Sequence, residues 1–105
     1  MENARIVYVT TPDMDTAEKI GKHIIERRLA ACVSMVPGLR SIYRWEDKLC
    51  DETEVLMVIK TSVQRLHELE EAVTELHPYQ VPEIIAVPVF LANKPYLDWI
   101  MQETR

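Results

Sequence analysis

The 105-residue sequence contains only two glycines, Gly21 and Gly38, and they stand far apart. A phosphate-cradling loop of the P-loop or dinucleotide type needs clustered glycines, so neither can be built here. Cysteine is as scarce. Cys32 and Cys50 are too few for a disulfide framework and are expected to be reduced, packed thiols lying in strands. No Lys/Arg cluster exceeds the Arg27–Arg28 pair, and the net charge is −5, from 12 basic and 17 acidic residues. The basic face that nucleic-acid phosphates require is therefore missing. The longest apolar run, Ile84 to Ala92, is interrupted by Pro88 and falls well short of the ~20 residues that cross a bilayer. The opening Met-Glu-Asn-Ala-Arg has no secretion-signal pattern. The expectation is a cytoplasmic protein with neither nucleic acid nor membrane as partner.

What is present is the balance of a globular domain: 48% hydrophobic and 28% charged residues, in a length that suits one domain over 1–105. Ile6-Val7-Tyr8-Val9 reads as a strand. Thr11-Pro12 or Asp13 then caps a helix that carries Ala17, Ile20, Gly21, Ile24 and Ile25 on one stripe and ends near Leu29. A long extended segment follows from Cys32 to Trp45. Val33, Met35, Leu39, Tyr43 and Trp45 fall on one face at period two, and Pro37-Gly38 should bend or bulge an edge strand. Glu46-Asp47-Lys48 reads as a tight hairpin turn, and Val55 to Ile59 as the apolar returning strand.

The second helix is announced by Thr61-Ser62-Val63-Gln64, which fits a capping box, and by Leu66, Leu69, Val73 and Leu76 at helical steps. Pro78 should end it at Leu76. A fourth strand, Ile84 to Leu91, and a last helix opened by Asn93 or Lys94 complete the chain. The order is βαββαβ with a terminal helix, an α+β, ferredoxin-like pattern with an antiparallel sheet. The stretches 6–9, 55–59 and 84–91 contain no charged residue. A half-solvated antiparallel sheet should alternate apolar and polar residues, so part of each run points away from the helices. Oligomerisation through that sheet face and the long second strand is the expected cover.

Chemistry has few candidate seats. No Gly-x-Ser-x-Gly elbow, His-Glu-x-x-His motif or paired-Cys zinc spacing occurs. His23, and His67 with Glu70 or Glu71, read as surface side chains. The loop from His77 to Glu83 gathers a histidine, a tyrosine, two prolines and a glutamate in seven residues. Prolines stiffen such a loop. Imidazole with carboxylate is a credible, though incomplete, ligand pair for copper, zinc or nickel. The same residues also suit a rigid connector whose His and Tyr satisfy neighbouring backbone. Trp45 reads as a packed anchor at the hairpin tip. Lys60, ending the buried strand, can snorkel or meet an anionic group such as Glu83.

Arg28-Leu29-Ala30-Ala31-Cys32, Ser41-Ile42-Tyr43-Arg44-Trp45, Lys60-Thr61, His77-Pro78-Tyr79-Gln80-Val81-Pro82-Glu83 and Tyr96-Leu97-Asp98-Trp99 together resemble the CutA divalent-cation tolerance family, from about Ile6 to Met101. The resemblance implies a homotrimer, similar in architecture to P-II signalling proteins, that is cytoplasmic, non-enzymatic and associated with divalent metals, copper foremost. It implies His77 and Glu83 as metal ligands, with Tyr79, Trp45 and Lys60 lining a cleft between subunits. Val9 and Thr10 occupy the place where copper-binding members carry a cysteine. Imidazole and carboxylate then remain for Cu(II) or another divalent cation, as a non-obligatory ligand. The alternative is a P-II-like signalling module that binds a small anion or a partner protein in the same clefts.

Overall fold

The computed structural model describes residues 3–105. Its elements are β1 (Ala4–Thr11), α1 (Met14–Glu26), β2 (Cys32–Trp45), β3 (Lys48–Ser62), a 3-10 turn (Val63–Arg65), α2 (Leu66–Leu76), β4 (Ile84–Pro88) and α3 (Lys94–Glu103). The four strands form one antiparallel sheet in the order β2-β3-β1-β4. This is the ferredoxin-like arrangement the sequence order predicts, with both proline-bearing strands, β2 and β4, at the edges. Among the described residues no helix is long and apolar enough to cross a membrane.

The core lies between the sheet and the first two helices. Val7, Val9, Val55, Met57 and Ile59 point from β1 and β3 towards Ile20, Ile24, Leu69 and Val73, all buried. Asp13 caps α1 by accepting the Thr16 N–H at 2.8 Å. The helix ends at Glu26 rather than near Leu29, because Arg28 adopts a φ of 60°. The Leu29 N–H then reaches back to the Ile24 carbonyl at 2.8 Å and the Arg28 N–H to Ile25 at 3.1 Å, which is a Schellman closure.

The capping box expected at Thr61-Ser62 does not form. Both residues complete β3: the Thr61 hydroxyl donates to the Leu29 carbonyl at 2.7 Å, and the Ser62 hydroxyl accepts from Thr104. The chain enters α2 through the 3-10 turn without a side-chain cap. Sheet pairing and a buried partner have overridden local capping chemistry. Strand β4 is also shorter than the apolar run suggests. It stops at Pro88, and Phe90 is left 95% exposed.

The second strand departs from a single period-two face. Val36 pairs with Leu56 and Leu39 with Glu54, so Pro37 and Gly38 stand opposite Val55 alone. This one-residue bulge, with Gly38 at a φ of 78°, reverses the side-chain alternation. Val33 and Met35 keep company with the core residues Ile59 and Met57, whereas Leu39, Tyr43 and Trp45 share the side of Glu54, Cys50 and Lys48.

Pairing of β1 with β3 stops at Thr11 and Val55, so Leu39–Trp45 and Lys48–Glu54 run on as a two-stranded arm. The arm gives the molecule a 44 Å long axis against 25 and 22 Å. It closes through Glu46 and Asp47, both with positive φ, as a two-residue type I′ turn requires.

The sheet face opposite the core carries Ile6, Tyr8, Leu56 and Val58, with Val36 and Ile85 about half exposed. Helix α3 covers only the end of this face near Ser62, held by Thr104 and the buried Ile100.

Candidate functional site: a cleft between the arm and the His77 loop

Pro78 ends α2 at Leu76, and the chain turns across the end of the sheet where β1 finishes. His77, 7% exposed, fixes that turn. Its Nε2–H donates to the Thr10 carbonyl at 2.7 Å, and its Nδ1 accepts the Tyr79 N–H at 3.1 Å. The second contact uses the Nδ1 lone pair and so places the ring proton on Nε2, with both nitrogens engaged. Tyr79, turned by that contact, sits 4.8 Å from the imidazole centroid to centroid and donates its hydroxyl to Glu54 Oε2 at 2.8 Å. Burial, the hydrogen bond to Glu54 and that carboxylate's charge all push the Tyr79 phenol well above its ordinary value.

Glu54 stands where the charged arm becomes the buried part of β3, and it is only 5% exposed. Tyr79 is its hydrogen-bond partner, and no cation among the described residues pairs with it. Between the arm and the loop opens a cavity of about 670 Å³ walled by Tyr43, Trp45 and Tyr79, with Thr10 at its base. Among the described residues, Glu54 and Glu83 are the only charged ones that line it.

The residues singled out from the sequence fall into two groups. Trp45, Tyr79 and Glu83 line this cavity, and His77 supports it from below. Lys60 does not belong to it within one chain. It pairs with Ile6, four positions along the ladder from the Thr10–Leu56 pair at the cleft, or about 13 Å. Its ammonium donates to Ser34 Oγ at 3.3 Å and lies 4.0 Å from Cys32 Sγ, so of the two readings for this side chain the contact with Glu83 is not the one made within the chain. His23 lies beside Arg27, and His67 beside Glu71, on helix surfaces as expected.

Of the expected ligand pair, Glu83 lines the cavity and His77 does not. A metal would need an imidazole lone pair, and here one nitrogen donates and the other accepts. Among the described residues no three of His, Cys, Asp and Glu cluster to hold an ion. The oxygen donors of Glu54 and Glu83 suit a hard, hydrated divalent cation held loosely, not a soft one, since neither thiol lines the cleft. Glu54 was the residue sequence reasoning missed. Its signal is slight: it is the last acidic residue of Asp51-Glu52-Thr53-Glu54 before Val55-Leu56-Met57-Val58-Ile59.

Comparison with known proteins decides the family. The model of the CutA1 divalent ion tolerance protein family matches residues 5–103. This chain belongs to that family. Among its relatives, the divalent-cation tolerance protein CutA of Thermus thermophilus is 46% identical over 99 residues, covering 94% of this chain and 96% of the relative. Protein CutA of Mus musculus is 45% identical over 92% of this chain, which spans 55% of that longer protein. The crystal structure of CutA from Xylella fastidiosa superposes with a TM-score of 0.96 at 37% identity, covering 98% of this chain and 99% of the other. The CutA1 fold thus accounts for the sheet, the long arm and the terminal helix together.

Proposed function

We propose that this chain is a homotrimeric, non-enzymatic divalent-cation tolerance protein of the cytoplasm, acting in the response to metal ions. In this reading it binds Cu(II) or another divalent cation weakly at clefts completed between subunits. Membership of the CutA1 family supports the relation to divalent cations. Trimer formation is supported by the uncovered apolar sheet face and by an arm that no other element of the chain backs, since an isolated two-stranded ribbon is marginal in water.

The observation that carries the reading is the purely acidic charge of the cleft, from Glu54 and Glu83. Glu83, the exposed member, is the cation-facing ligand, with water and groups of a neighbouring copy filling the remaining positions. His77 contributes by holding the loop, and joins as a ligand only if its contacts to Thr10 and Tyr79 open. The acidic wall disfavours the P-II-like alternative of a small anion in the same place. Calorimetric titration with Cu(II) tests this: Glu83→Gln weakens binding, and an isotherm unchanged from the parent protein removes the site.

A further inference from the structure

Glu54 is a nearly buried carboxylate that lines a cavity and receives one neutral hydrogen bond. Buried carboxylates are ordinarily matched by a cation, because desolvation of an unpaired charge is costly. Among the described residues of the same chain, no Lys, Arg or His supplies one. The space in front of Glu54 measures about 670 Å³, within the range of ordinary small-molecule sites and far larger than a metal ion with its inner waters needs. Three aromatic rings, of Tyr43, Trp45 and Tyr79, stand among its walls, and aromatic faces attract organic cations through the ring quadrupole.

We propose that the cleft is a binding site for a free small organic cation, one with a guanidinium or primary ammonium head on an apolar body. The head pairs with Glu54, and the body lies against the rings of Tyr43 and Trp45. Guanidinium fits best, since its planar fork matches a carboxylate and its face stacks on aromatic rings. This goes beyond the metal reading and needs no metal. Glu83, at the mouth, adds attraction for the approaching cation.

The test uses the assembled protein freed of metal with EDTA, titrated with N-butylguanidinium and with N-butylurea, its neutral counterpart of the same shape. The guanidinium binds about tenfold or more tightly than the urea. Its methylene protons shift upfield in the NMR spectrum as they meet the aromatic walls. Glu54→Gln abolishes the preference for the charged probe while the amide carbonyl still accepts the Tyr79 hydroxyl, so the fold is kept. Trp45→Leu, on the exposed arm, weakens the guanidinium several-fold and keeps the preference. Equal binding of both probes, or a preference that survives in Glu54→Gln, overturns the proposal. So does absence of binding at millimolar concentration, the result expected if a side chain of a second copy already fills the cleft. A Cu(II) isotherm on the same samples separates this outcome from that of the metal reading.

Discussion

The ring of His77 ties the exit of α2 to the end of β1, donating to the Thr10 carbonyl at 2.7 Å while accepting the Tyr79 N–H at 3.1 Å. One side chain thereby sets the position of Tyr79, and through Tyr79 the position of the Glu54 carboxylate. His77→Ala leaves a buried carbonyl and an amide without these partners and opens a small void. The loss should be about 2–4 kcal/mol in urea unfolding. A variant as stable as the parent protein would show that the loop is held by other contacts.

The Tyr79 phenol gives the site a pH signature. Burial and Glu54 raise its folded value, so the protonated form is favoured in the folded state. Its contribution to stability is complete below the ordinary phenol value, and is lost as pH climbs past that value through the raised one. Alkaline absorbance titration should show a phenol that resists ionisation. Tyr79→Phe deletes this late step and Glu54→Gln moves it to lower pH. A late step that persists in Tyr79→Phe belongs to another tyrosine.

Glu46 and Asp47 close the arm with φ values of 49° and 64°. Side chains at positive φ are strained, and Asn-Gly is the pair that a type I′ turn prefers. The double substitution Glu46→Asn, Asp47→Gly should stabilise the protein by about 1 kcal/mol, read as a higher melting temperature. No change would mean that the arm's end is already constrained by contacts outside its own chain.

Much of this architecture is legible in the sequence because the signals are local. The stripes of both helices, the stop at Pro78 and the edge place of the proline-bearing β2 follow from spacing and backbone chemistry. The failures share one cause. Thr61 and Ser62 look like a helix cap until Leu29 and Thr104 bond to them from distant parts of the chain. At His77 the sequence offers a candidate ligand but does not show that Thr10, 67 residues away, engages its nitrogen. Lys60 and Glu83 are both suited to an ion pair, but the register of β3 on β1 holds the lysine away from the cleft. Glu54 has no local motif, and its importance comes from Tyr79 folding over it. The reversal of faces in β2 needed the bulge to be placed between particular pairs, which Pro37-Gly38 suggests but the β3 register decides.

The account rests on the uncovered apolar face and the arm being sheltered by sister copies, because the clefts at which a cation is proposed to bind are completed there. Sedimentation equilibrium at micromolar concentration tests this most directly. The account predicts one species of three times the 12.2 kDa chain mass. A species of a single chain mass, stable on dilution and concentration alike, would contradict it.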